Sequence, residues 1–208
     1  MQLVIAKYKE DVSWVNRINI PALIYDKSGC DVPNSLPNIG REAHTYLYHI
    51  LSYYPLFPEY TVFLQGNPFP HMRSDMNPEE LKSLINNYIK RKIFFKGFAN
   101  YSIRCDFFGK PHNLENNKDK WFGYSKDIPV GYVYSELFSG EIPQSFHCRA
   151  PAGLFFVHSS RILCRSKKFY EKSMEIIMRD PSDELNTGHA FERLWYIIFN
   201  GYSKLNKF

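Results

Sequence analysis

Gln2-Leu3-Val4-Ile5-Ala6-Lys7-Tyr8, then Trp14, Val15 and Ile18 at helical spacing, then Ala22-Leu23-Ile24-Tyr25: the reading of this opening decides the fold. The first and last runs are short and almost continuously apolar, as strands covered on both faces are. The segment between them, 12–18, carries a single inward stripe and predicts a short helix. Strand, helix and strand in that order make a βαβ unit with parallel strands. Ligands of open α/β sheets sit beyond the carboxyl ends of the strands. That rule puts Tyr8, Lys9, Glu10 and Asp11 after the first strand, and Asp26 and Lys27 after the second, at the expected crevice. A carboxylate such as Asp26 can accept from a ribose hydroxyl or a base N–H. Strand ends are also simply where polar loops begin.

The next element follows a loop punctuated by Gly29, Pro33 and Pro37. Asn38-Ile39-Gly40-Arg41-Glu42-Ala43-His44 reads as the first turn of a helix capped by Asn38. Ala43, Tyr46, Leu47, Ile50, Leu51 and Tyr54 then form one apolar face. Gly40 permits a close approach to the backbone, and Arg41 adds a full charge to the partial positive charge of a helix start. Asn38, Gly40, Arg41 and His44 are therefore candidate phosphate contacts. The competing reading is a core helix with ordinary polar residues in its first turn.

Tyr60-Thr61-Val62-Phe63-Leu64 predicts a third buried strand that delivers Gln65-Gly66-Asn67-Pro68-Phe69-Pro70-His71 to the same edge. Gln65 and Asn67 are candidate donors and acceptors for a ligand, and His71 is a candidate base. Asn77-Pro78 predicts a capped helix with Leu81, Leu84, Ile85, Tyr88 and Ile89 inward. Residues 94–150 read as a variable insertion with strand-like pieces, among them 130–134, and a polar loop at 113–120. Gly153-Leu154-Phe155-Phe156-Val157 predicts another strand, and a helix from Ser166 or Lys167 reaches Met178. A last helix enters at Thr187-Gly188-His189 and buries Ala190, Phe191, Leu194, Trp195 and Ile198. Glu192 near its start is either a catalytic base or the partner of a nearby cation.

The totals agree with one α/β domain over residues 1–208. Apolar residues make up 44% of the chain, so it is globular rather than disordered. The net charge of +5 is mild, and without a Lys/Arg stripe nucleic acid is disfavoured as a partner. Cys30, Cys105, Cys148 and Cys164 lie far apart without a CxxC pair, which predicts reduced thiols rather than zinc or a disulfide frame. No secretory leader is evident and no run of about 18 apolar residues occurs, so a cytoplasmic protein is expected. The first strand lacks a following Gly-x-Gly-x-x-Gly, which disfavours a dinucleotide oxidoreductase, and no Gly-x-Ser-x-Gly elbow is present.

Several of these stretches together resemble a known family. Asn38 to Leu47, Tyr60 to Gly66 with Pro68, Phe69 and His71, Phe155 to Leu163, Phe169-Tyr170, and Gly188 through Phe191-Glu192 to Phe199 are similar to a family of unknown-function proteins. That family occurs in fungi and in bacterial surface-polysaccharide gene clusters. The resemblance covers residues 3–72 and 151–201. Its bacterial members look like small glycosyltransferases of the GT-A type. The resemblance therefore implies a GT-A-like open mixed sheet flanked by helices in a single domain. It implies sugar transfer from a nucleotide-sugar donor to a glycan or lipid-linked acceptor in capsule or lipopolysaccharide assembly, with peripheral contact at an inner membrane surface. Tyr8, Glu10, Asp11 and Asp26 would face the nucleoside, Arg41 the diphosphate, and Glu192 or His71 would act as base. The third strand of such enzymes usually delivers an Asp-x-Asp that holds manganese or magnesium. Here its end reads Gln65-Gly66-Asn67, so no metal ligand is assigned, a manganese or magnesium requirement is left open, and a non-catalytic carbohydrate-binding or scaffold protein of a glycan assembly complex is the alternative reading.

Overall fold

The computed structural model describes residues 1–74, 76–99, 102–110, 127–148 and 153–200. The opening forms as expected: strand β1 (Gln2–Lys7), helix α1 (Val15–Ile18) and strand β2 (Ala22–Asp26). β1 runs parallel to β2, with Leu3 beside Ala22 and Lys7 beside Asp26. Strand β3 (Tyr60–Gln65) is parallel on the other side of β1, with Ala6 beside Gln65. Lys7, Asp26 and Gln65 thus end on one common edge. Strands β4 (Phe95–Gly97) and β7 (Phe155–His158) complete a five-stranded sheet in the order β2-β1-β3-β7-β4. β7 is antiparallel to both β3 and β4. Its direction brings the chain before Phe155 to the carboxyl edge of the parallel strands. Strands β5 (Ile103–Cys105) and β6 (Phe146–Cys148) form a separate antiparallel pair.

Period-two alternation in the strands divides the apolar residues between two layers. Leu3, Ile5, Val62, Leu64 and Phe156 face α1 and helix α3 (Pro78–Lys90). Val4, Ala6, Phe63, Phe155 and Val157 face the other layer. That layer holds α2 (Arg41–Tyr53), α4 (Val130–Leu137), α6 (Lys167–Met178) and α7 (Thr187–Asn200). A one-turn helix, α5 (Ser159–Ile162), links β7 to α6. The structure is a mixed α/β single domain with a sheet flanked by helices. Residues 94–150 supply β4 to the main sheet, and α4 packs on α6 and α7. The polar loop at 113–120 lies outside the described residues.

Two local expectations fail. Residues 130–134 are helical, not strand-like. Val130, Val133, Tyr134 and Leu137 are all buried and fall at i, i+3, i+4 and i+7, so the helical face outweighs the β-branched composition. Gly131 sits against the Phe107 ring, where a Cβ would lie only 2.0 Å from Cδ2. Asn38 does not cap α2. The helix begins at Arg41 with Gly40 in the cap position and no side-chain cap, and Asn38 is exposed in the loop before it. By contrast Asn77 caps α3 as read, accepting from the Glu80 N–H at 3.0 Å.

Phe155 is the hub of the larger core. Its ring lies 5.1 Å from Phe63, 5.3 Å from Phe199, 5.6 Å from Trp195 and 5.7 Å from Tyr46. Truncating it would open a cavity among rings that cannot collapse together. Phe155→Ala is expected to cost about 3–5 kcal/mol in urea unfolding, and Phe155→Leu distinctly less.

Candidate functional site

Each parallel strand delivers a polar side chain to the shared edge. The Lys7 ammonium pairs with Asp26 Oδ2, and Ser28 donates its N–H to Asp26 Oδ1 at 2.8 Å. Burial alone would raise the Asp26 carboxyl, but the Lys7 and Ser28 donors outweigh it and hold the group at about 2. Asp26 is therefore an anchored, ionised carboxylate. Lys27 is 4% exposed, and its Nζ donates to the carbonyls of Ile39, at 2.6 Å, and Arg41. It clamps the loop that leads into α2. Burial lowers its ammonium to about 8, with Glu42 opposing and Arg41 adding to the shift.

The loop after β1 is tied down by its own carboxylates. Glu10 accepts from the Tyr8 N–H at 2.7 Å, and Asp11 accepts from the Ser13 N–H at 2.9 Å. Gly66 lies against Glu10, where a Cβ would come within 2.7 Å of Oε2, so the ends of β1 and β3 are in contact. Trp14 Nε1 donates to the Gly66 carbonyl at 2.8 Å. The Tyr8 ring is exposed, with the Lys9 ammonium 5.0 Å from its centroid. Gln65 ends β3 half-buried, and Asn67 lines an open hollow of about 520 Å³ with Phe69, Pro70, Met72, Ser74 and Met76. His71 closes a short 3-10 turn (Phe69–His71); Phe69 within it and Met72 after it pack with the α1–α3 layer.

A second cluster stands on the opposite face of the same edge, where the starts of α2 and α7 meet. Gly40 and Arg41 both take the left-handed conformation, with φ of 53° and 52°. A Cβ on Gly40 would lie 2.4 Å from Ile177 Cγ2, so this turn needs glycine both for its torsion and for its space. Arg41 Nε stands 3.6 Å from Glu192 Oε1, and the Arg41 side chain is 43% exposed. Glu42, the next residue, is buried, and its Oε1 has no hydrogen-bond partner. Gly153, with φ of 63°, brings the chain before β7 onto this carboxylate, since a Cβ there would lie 2.7 Å from Oε1. Burial first, and the Glu42 carboxylate second, push Glu192 well above the ordinary carboxyl range. Burial also raises the Tyr46 phenol, with Glu42 and Glu192 adding to it.

The turn before α7 frames this cluster. Asp180 accepts from the Leu185 and Thr187 N–H groups, and Asp183 accepts from the Gly188 N–H at 2.8 Å. A Cβ on Gly188 would lie 2.9 Å from Arg41 Cδ. His189 Nδ1 lies 3.8 Å from Asp183 Oδ2; burial, with Arg41 and Arg193 nearby, holds its imidazole at about 4. His44 is buried on α2, and burial together with the Lys27 ammonium holds it at about 4 as well. His44 is thus a neutral interior group rather than a charged phosphate ligand.

The structure brings Arg41 to Glu192, Lys7 to Asp26, and Glu10 to the end of β3. Among the described contacts none joins His71 to Glu192. Glu42 emerges as the neighbour that matters most. The available signal was a carboxylate one turn before Tyr46 on the face that the helix buries. Among the described residues no three His, Cys, Asp or Glu side chains converge as a metal site. The amides ending β3 do not fit a divalent ion that wants carboxylates.

Fold and site thus define a mixed α/β protein with two ionisable clusters at one sheet edge. The chain belongs to the family described as Protein of unknown function (DUF3431), whose model matches residues 3–206, the middle region included. No curated protein matches the chain. Among the described residues no helix is long and apolar enough to cross a membrane.

Two outcomes are expected. Gly40→Ala should destabilise by about 1–3 kcal/mol in chemical denaturation, because strain and overlap add. His44 and His189 are held near 4 against 6.5 unfolded, so between those values the unfolded chain binds more protons. Stability should therefore fall as pH drops from 6.5 towards 4, and His44→Gln should flatten that slope.

Proposed function

We propose that this protein is a glycosyltransferase that moves a sugar from a nucleotide-sugar donor to a hydroxyl of a glycan acceptor, such as a growing surface polysaccharide. The observation that carries the reading is the Arg41–Glu192 pair, set with Glu42 at the carboxyl edge of three parallel strands, where ligands of open sheets bind. Strained backbone, close-packed glycines and a buried carboxyl occur there together. Such features cluster at sites of chemistry. The sheet order, with its antiparallel β7, is compatible with a GT-A-like enzyme.

In the proposed reaction the acceptor oxygen forms a bond to the anomeric carbon as the bond from that carbon to the diphosphate breaks. Glu192 takes the acceptor proton, and the diphosphate leaves with the bonding electron pair. Arg41 is exposed enough to turn towards the developing negative charge and stabilise it. Asp26, ionised and held by Lys7 and Ser28, keeps acceptor capacity for the nucleoside hydroxyls. Tyr8 offers an exposed ring on which a base can stack. No step needs a metal, and no membrane contact is required beyond that of a lipid-linked acceptor.

A second reading, a carbohydrate-binding protein without catalysis, is favoured by the hollow lined by Asn67 and Phe69 and by the amides where a metal-dependent transferase carries carboxylates. The test is a panel of nucleoside diphosphates and nucleotide sugars, read by thermal shift and by sugar release. One nucleotide should raise the melting point by mass action, worth about 2.7 kcal/mol at a hundredfold excess over its dissociation constant. Arg41→Ala should weaken that shift about tenfold or more in ligand concentration, at about 1.5–3 kcal/mol for a charged hydrogen bond. Glu192→Gln should keep binding and lose about a hundredfold or more in turnover. Glycan binding without any nucleotide response would favour the second reading.

A further inference from the structure

Cys105 and Cys148 meet inside the fold. Period-two alternation along β5 and β6 turns Ile103, Cys105, Phe146 and Cys148 to one face, and Arg104 and His147 to the exposed one. In the antiparallel register Cys148 stands opposite Ile103 and Cys105 opposite Phe146, so the two cysteines are diagonal neighbours. Diagonal side chains stay within reach of each other across a strand pair. Here the sulfurs touch at 3.9 Å, with the two residues 0% and 1% exposed. All four cysteines are free thiols, and Cys30 and Cys164 are the exposed ones. The surroundings make the buried pair unequal. Contact with Cys148, with the Arg193 guanidinium adding to it, holds the Cys105 thiol below its ordinary value against burial and the nearby Asp106. The same contact, together with burial, pushes the Cys148 thiol up. Cys105 therefore ionises first, and the thiolate is the nucleophilic form. β5 and β6 pair through three residues each and stand apart from the five-stranded sheet. So short a two-stranded ladder opens more readily than the main sheet, which admits a small oxidant to the pair.

We propose that Cys105 and Cys148 form a redox-modification site, at which a small hydroperoxide such as hydrogen peroxide closes a disulfide that ties β5 to β6. The inference stands apart from the transferase reading. The Cys105 thiolate sulfur attacks one peroxide oxygen. An S–O bond forms, the O–O bond breaks, and Cys105 is left as a sulfenic acid while hydroxide departs and takes up the proton that the Cys105 thiol gave up. The Cys148 sulfur then attacks the Cys105 sulfur. The S–S bond forms, the S–O bond breaks, and the leaving hydroxide takes the Cys148 proton as water. Two thiols and one peroxide thus give one disulfide and two waters, with two electrons passing from sulfur to oxygen. The sulfurs start in contact, so side-chain rotation and a small shift of one strand against the other complete the bond.

The experiment treats the folded, fully reduced chain with equimolar hydrogen peroxide, alkylates the remaining thiols and maps the peptides by mass spectrometry. A peptide joined between Cys105 and Cys148, two hydrogens lighter than its parts and released by dithiothreitol, is expected. The double variant Cys30→Ser, Cys164→Ser alters only exposed thiols and should keep that link. Cys148→Ser should lose it and leave a Cys105 sulfenic acid that dimedone traps. If that core variant does not fold, the wild-type map decides alone. Oxidation confined to Cys30 and Cys164, with Cys105 and Cys148 both recovered as alkylated thiols, would overturn the proposal. So would a link from either buried cysteine to Cys30 or Cys164, or a Cys105–Cys148 link that forms only after denaturant is added.

Discussion

Arg41 and Glu192 meet 3.6 Å apart where two helix starts converge on the carboxyl edge of the sheet, and much of the surrounding backbone is shaped to permit it. A carboxyl in this position has lost its water, and only a nearby cation and close packing make that tolerable. Glycines at 40, 153 and 188 let three segments crowd the cluster, and two of them, Gly40 and Gly153, also need left-handed torsions. Lys27 fixes the loop before α2 through two carbonyls, and Asp180 and Asp183 fix the turn before α7. Local strain is held in place by a core of rings around Phe155 that leaves the helices little freedom to relax.

Much of the fold was legible because its elements obey simple periods. β1 and β3 read as continuous apolar runs since helices cover both faces of the sheet there, whereas β2 at the sheet edge is fully buried only at Tyr25 and Asp26. The cap at Asn77 was readable for the same local reason, a side chain accepting from the first turn, and the same interaction made by Ser166 decides between the two starts left open for α6. Asn38 misled because a good cap residue stood two positions too early, while the real turn uses left-handed Gly40 and Arg41. Residues 130–134 misled because valines and tyrosines suit a strand, and only the burial of Leu137 completes the helical face.

The site was legible in part. Asp26 and Glu10 followed from topology alone, since strand ends gather at one edge. The meeting of Glu42 with Glu192 did not, because it depends on how α7 crosses α2 and on the reversed direction of β7. No local pattern encodes that crossing. His44 stood in a helix's first turn like a ligand, yet its side chain points into the domain, where burial keeps it neutral.

On the proposed transferase reading, donor recognition falls to Tyr8, the segment from Asp26 to Ser28, and Arg41, with the reacting proton at Glu192. Amide and side-chain NMR mapping during titration with the nucleoside diphosphates tests this most directly. It predicts that one nucleotide perturbs those positions together and saturates at a single affinity. Perturbation confined to the hollow around Asn67, or none with any nucleotide, would contradict it.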